Sequence, residues 1–189
     1  LTFEKEPLKE TRTLDDYNIP DESVLESIDL SIVSSARNIS IASIGFVDVS
    51  NKINLRRLEW SETAPKWRVA EPGLCIEGEC TNSQCEAYNT SIVVIPIGFQ
   101  KFDIVADCDE NTSCCPLCKQ YVEPITCGFS NCWWKYWGKK LPLQKGSPPV
   151  SVFGDWTRAD NAYHRFDEKT GLIIWRQLIF EAVKDKPLM

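Results

Sequence analysis

Cys75-Ile-Glu-Gly-Glu-Cys80-Thr-Asn-Ser-Gln-Cys85 and, further along, Cys114-Cys115-Pro-Leu-Cys118 are the stretches that decide how this chain is read. All nine cysteines fall between Cys75 and Cys132, the others being Cys108 and Cys127. Cys80-x4-Cys85 and Cys115-x2-Cys118 each place two thiols on a tight turn. Two such turns brought together supply four sulfurs to one tetrahedral metal ion. Cys80, Cys85, Cys115 and Cys118 are therefore the expected ligands of a structural Zn2+. Pro116 fixes one backbone angle in the second turn and leaves nearby N–H groups free to face the sulfurs. A closed four-thiolate set has no open coordination position, so its expected role is to hold a fold rather than to do chemistry.

Working outward, Ser91-Ile-Val-Val-Ile-Pro-Ile-Gly-Phe99 and Lys101-Phe-Asp-Ile-Val105 read as a β-hairpin between the two thiol pairs, with Pro96 marking a bulge or an edge. This two-turn layout resembles zinc-ribbon and treble-clef domains, although its first turn is longer than the usual Cys-x2-Cys. The remaining Cys75, Cys108, Cys114, Cys127 and Cys132 are open to three readings: a second metal site, a Cys127–Cys132 bridge, or buried thiols packed as small hydrophobes. Cys132 could act as a nucleophile only beside a base. The sole histidine, His164, lies far along the chain near Asp160 and Asp167, without a nucleophile signature. Asp107, Asp109 and Glu110 form an acidic loop that reads as solvated.

Just after Cys132 comes Trp133-Trp134-Lys135-Tyr136-Trp137-Gly-Lys139-Lys140. Aromatic and cationic residues mixed in this way suit a peptide or a single nucleic-acid strand. Trp133, Trp134 and Trp137 are the candidate partner surface, while alternation along a strand would send some of these rings into the core. A net charge of −6 and a pI near 4.9 speak against nucleic acid and for a protein partner. No apolar run reaches the roughly 18 residues needed to span a bilayer, so no membrane role is expected.

Near the N-terminus, Leu1 and Phe3 alternate as a strand would, and Arg12-Thr-Leu-Asp-Asp-Tyr-Asn-Ile19 is followed by Glu22-Ser-Val-Leu25. These residues resemble the C-terminal half of ubiquitin over residues 1 to about 32. Thr2 stands where ubiquitin's main recognition patch carries isoleucine, Ile28 keeps that patch apolar, and no Gly-Gly follows Leu30. The resemblance therefore implies a ubiquitin-like fold and a partner in the ubiquitin system, without conjugation or cleavage at that point. The first half of such a fold is expected upstream or in a second chain, because half a β-grasp cannot bury its own sheet face. The start at Leu1 rather than Met points the same way.

The expected architecture is thus mainly β, or α+β. Residues 1–35 form the C-terminal part of a ubiquitin-like domain, 36–59 a β segment or linker, and 60–189 a Cys-rich zinc-binding domain ending in a hairpin or a helix. The strand alternation of Ile39, Ile41, Phe46, Val47 and Val49 supports the middle assignment. Tyr163 to Phe180 turns at Lys169-Thr-Gly171 as a hairpin would, with a helix over 175–183 competing. The expected function is a non-enzymatic protein-interaction module of ubiquitin-linked biology in the cytoplasm or nucleus. Two alternatives stand beside it. One is an enzyme, either a ubiquitin ligase or a cysteine nucleophile. The other is a secreted disulfide-bonded domain, to which the N-x-S/T triplets at Asn38, Asn89 and Asn111 would belong.

Overall fold

The fold is given by a computed structural model, which describes residues 2–3, 6–7, 42–89, 92–142, 144 and 146–187. The chain divides into two units, 1–41 and 42–189. In the first, β1 (Thr2–Phe3) and β2 (Glu6–Pro7) pair antiparallel. The rest of the ubiquitin-like stretch, including Tyr17 and Ile28, lies outside the described residues, as do Asn38, Ile39 and Ile41.

The second unit is mainly β, with short 3-10 turns at Lys52–Asn54, Lys66–Arg68 and Glu168–Thr170, as expected from its β-branched and aromatic runs. Its strands are β3 (Ile44–Val47), β4 (Leu55–Leu58), β5 (Gly73–Gly78), β6 (Val93–Gly98), β7 (Lys101–Asp103), β8 (Pro124–Ser130), β9 (Cys132–Lys140), β10 (Val150–Ala159), β11 (Tyr163–Phe166) and β12 (Leu172–Val183). They form two antiparallel five-stranded sheets. Sheet I runs β10-β9-β12-β3, with β7 also paired to β12, and sheet II runs β4-β11-β8-β5-β6. The segment expected as a β link, 36–59, supplies β3 to sheet I and β4 to sheet II.

The core lies between the sheets. Leu74, Ile76, Cys127, Phe129 and Phe166 of sheet II meet Phe46, Trp134, Tyr136, Trp175, Leu178 and Phe180 of sheet I, all buried. Phe129 stacks on Trp134 with ring centroids 4.2 Å apart, and Phe180 and Phe166 meet the same indole edge-on. These aromatic contacts each add about 0.5–1.5 kcal/mol beyond the area they bury.

Two expected hairpins are corrected. β6 and β7 follow one another but lie in opposite sheets, β6 beside β5 and β7 beside β12. Val93 and Ile95 press on the core from one layer and Phe102 from the other, which a single hairpin face could not achieve. Pro96, by contrast, stands at both expected features: β6 is an edge strand, and the register shifts between Leu74 and Cys75 opposite it. β11 and β12 are likewise split between layers, joined by a turn that Asp167 caps and Gly171 closes at φ +102°. The helix over 175–183 is a strand instead. Leu178, Phe180 and Ala182 are the most deeply buried, at every second position, with Ile179 between them 8% exposed, and the backbone pairs with β9 and β7; ladder partners on both sides leave no helix.

Candidate metal centre and partner face

β5 and β8 are antiparallel neighbours, so the end of β5 and the start of β8 lie together, with Gly78 opposite Pro124. Cys80 and Cys85 leave the end of β5, while Cys115 and Cys118 precede β8. That adjacency makes the two loops converge. Gly78 is required for it, because a Cβ there would stand 2.2 Å from the Glu123 carbonyl oxygen.

The loop carrying Cys115 and Cys118 is closed by its own ladder. Val122 N–H donates to the Ser113 carbonyl at 2.8 Å, Cys115 N–H to the Gln120 carbonyl at 2.9 Å, and the buried Ser113 hydroxyl to the Val122 carbonyl at 2.6 Å. Lys119 takes a positive φ of 61° and turns the chain back after Cys118.

The sulfurs of Cys80, Cys85, Cys115 and Cys118 all lie within 4.8 Å of one another. Cys80 Sγ is 3.6 Å from Cys118 Sγ, and Cys85 Sγ is 3.8 Å from Cys115 Sγ. Four sulfurs about 2.3 Å from a tetrahedral ion stand about 3.8 Å apart, so the spacing fits such an ion. The backbone N–H groups of Asn82, Ala87 and Gln120 each reach the sulfur two residues before them. Those donors favour sulfur in its charged form, the form that binds metal. Burial raises the Cys118 thiol, but the Gln120 N–H, the Asn82 side chain and the neighbouring thiols of Cys80 and Cys115 outweigh it and bring Cys118 down to about 6. Burial instead dominates at Cys80, and with the other three sulfurs drives it up to about 12. The four residues are thus positioned to hold a metal ion.

The other five cysteines do not join them, and all nine are free thiols. The four-sulfur group is the one cluster of metal-ligating side chains among the described residues. Cys75, Cys127 and Cys132 are buried in or beside the core, and no Cys127–Cys132 bridge forms. Burial pushes the Cys75 and Cys132 thiols up to about 12 and Cys127 well above its usual value. A nucleophile at Cys132 therefore has neither a thiolate at neutral pH nor exposure to solvent. Cys108 and Cys114 are half-buried, and Cys114 Sγ donates to the Glu110 carbonyl at 2.6 Å. His164 is spent on Asp160, its Nε2 lying 2.8 Å from Oδ1. In the acidic loop, Asp109 receives the N–H groups of Asn111 and Thr112, and Asp107 that of Asp103, so both act as turn caps.

The tryptophans separate by strand alternation. Trp134 is only 4% exposed and belongs to the core, so it is removed from the partner surface; its indole N–H finds no acceptor among the described residues. Trp133 and Trp137 project from the outer face of sheet I with Lys135 and Lys139 between and beyond them. Two further aromatics join that face from outside the block read in the sequence. Phe153, opposite Trp137, is 83% exposed, and Trp156 lies under Lys135 with the ammonium 4.6 Å from its ring centre. A bulge between Gly154 and Thr157 aims Trp156 there. The strict period of two in Cys132–Lys140 is the signal that separates Trp133 and Trp137 from Trp134, whereas nothing local marks the bulge.

Among the described residues no helix is long and apolar enough to cross a membrane. Compared with protein families, curated proteins and solved structures, the chain matches none.

Proposed function

We propose that this chain is a non-enzymatic protein-interaction module, held together by a structural Zn2+ and working in ubiquitin-linked biology inside the cell. The observation that carries the reading is the convergence of Cys80, Cys85, Cys115 and Cys118 with N–H donors behind three of the sulfurs. An all-thiolate tetrahedral set is what zinc takes in structural sites, and the bound ion would cross-link two loops that carry little core of their own. The ubiquitin link rests on the residues from Arg12 to Ile19 and from Glu22 to Leu25. The contact surface is assigned to Trp133 and Trp137. A cytoplasmic or nuclear setting agrees with nine unpaired thiols.

The test is elemental analysis of the purified full chain together with a thiol count after denaturation. About one zinc per chain with the thiols free supports the reading. Absence of metal with eight cysteines oxidised overturns it in favour of the secreted domain. Stimulated discharge of ubiquitin from a conjugating enzyme would replace it with the ligase.

A further inference from the structure

The outer faces of the two sheets differ. On sheet II, the fully buried Glu77 is held by the Tyr163 hydroxyl and Arg165 Nε, both at 2.7 Å, and Tyr163 covers Gly128. On sheet I, the outward positions of β9 read Trp133, Lys135, Trp137, Lys139. Across the register stand Arg158 opposite Trp133 and Phe153 opposite Trp137. Lys101 and Lys135 lie over Trp137 at 5.2 and 5.6 Å, and Lys186 over Trp133 at 5.0 Å. The carboxylates nearby are engaged: Glu181 pairs with Lys135 at 3.0 Å, Asp103 accepts the Val105 N–H, and Asp155 caps its own bulge. A chain of net charge −6 thus gathers Lys101, Lys135, Lys139, Arg158 and Lys186 around one aromatic face.

β10 borders that face. Among the described residues it pairs only with β9, so its outer edge carries free backbone donors and acceptors. Its first half, Val150–Phe153, is regular, without proline or charge, and ends on the exposed Phe153. The bulge interrupts pairing only after Gly154.

We propose that an extended acidic peptide of a partner protein adds as a strand beside Val150–Phe153, one of its side chains on Phe153 and its carboxylates on the lysines of the sheet I face. Backbone pairing supplies affinity in such an arrangement, and the alternating side chains supply selection. The site deepens the interaction-module reading and rests on it. Polypeptide fits better than a nucleic-acid strand for two reasons. Base stacking needs open ring faces, and lysines already cover Trp133, Trp137 and Trp156. An edge strand also offers a peptide, and not a nucleotide, a matching ladder.

The experiment titrates the full, metal-loaded chain into a fluorescent peptide of about twelve residues alternating Glu and Val, with a Lys-Val peptide and an oligothymidine as the other arms. Expected are saturable binding of the Glu-Val peptide alone, weakening with salt, and slowed exchange of the outward amides of Val150–Phe153. About tenfold loss is expected in Lys101→Glu/Lys139→Glu, with the thermal midpoint of the free chain kept. Phe153→Ser, at a position with no packing to lose, serves as a second variant and should also weaken binding. No binding, equal binding of the Lys-Val peptide, preference for oligothymidine, or unchanged affinity in both variants overturns the proposal. Zinc content and thiol count do not depend on this face, so failure here is separable from failure of the zinc-module reading.

Discussion

Four of the nine cysteines and three others show how position decides what one side chain becomes. Cys80, Cys85, Cys115 and Cys118 sit on loops at one end of sheet II, three of them beside backbone N–H groups, with sulfurs within 4.8 Å of one another. Cys75 and Cys127 sit on the paired strands β5 and β8 of sheet II and Cys132 on β9 of sheet I, all buried from solvent. In the first set the converging sulfurs raise Cys80 and Cys85 and lower Cys118, an arrangement in which four thiolates become compatible once they share a cation. In the second, burial makes charge costly and the thiol behaves as a small apolar group. The difference teaches that cysteine density is a poor guide here, whereas loop against strand is a good one.

The sharpest way to break the contrast is one substitution from each set. Cys115→Ser removes a ligand from the buried side of the cluster, and a hydroxyl there cannot complete a thiolate site. The expected result is loss of the metal and a thermal midpoint lower by more than about 10 °C, since metal binding to such sites is itself folding free energy. Cys127→Ser places a hydroxyl where nothing is exposed, costing about 1–3 kcal/mol, and keeps full metal stoichiometry. Calorimetry paired with elemental analysis reads both. If Cys127→Ser loses the metal as well, the two sets are not distinct.

What was legible follows the same division. Cys-x2-Cys and Cys-x4-Cys are local patterns, so the ligand set could be read before any strand was placed. The β class was legible in runs such as Ile92 to Ile97, and Pro96 announced its edge. The partners of the strands were not. β6 to β7 and β11 to β12 have the short connections of hairpins, but each pair is divided between layers because both members carry residues the core needs from opposite sides. Pairing of that kind depends on the whole fold rather than on the turn. Trp134 was recoverable in part, since its neighbours at period two, Cys132 and Tyr136, are also buried. Trp156 was not, because a bulge is defined only against the facing strand.

A smaller effect separates the sets by pH. Burial raises Cys75 and Cys132 to about 12, while the same thiols in the unfolded chain ionise near 8.5. Between those values the folded chain holds protons that the unfolded chain has released, so stability is complete below about pH 8.5 and falls as pH rises. Each buried thiol contributes up to about 1.4 kcal/mol per pH unit. Metal-bound thiolates hold no proton in the folded chain, and their unfolded counterparts have also released theirs above about pH 9.5, so the metal site adds no slope beyond that value. Denaturant unfolding of the metal-loaded chain from about pH 9.5 to 10.5 should therefore slope downward, and Cys75→Ala should flatten the slope. An unchanged slope would mean that Cys75 does not titrate as a buried thiol.

The weakest perturbation tests the boundary of the ligand set most closely. Cys114 adjoins Cys115, yet its sulfur turns the other way and donates to the Glu110 carbonyl, half-exposed to water. Cys114 also bridges Tyr121 through its backbone, in the small ladder that closes the second loop. That backbone role survives a change of side chain, and serine can donate the same hydrogen bond to Glu110 with a shorter reach. Cys114→Ser should then cost less than about 0.5 kcal/mol, within the usual range for a surface change. It should also leave the metal bound at the same stoichiometry, measured by elemental analysis after extensive dialysis. Loss of metal in this variant, with retention in Cys115→Ser, would shift the ligand by one residue. The four sulfurs now grouped by distance would then have to be regrouped around Cys114, while the N–H donors from Asn82, Ala87 and Gln120 would still mark Cys80, Cys85 and Cys118 as the other three ligands.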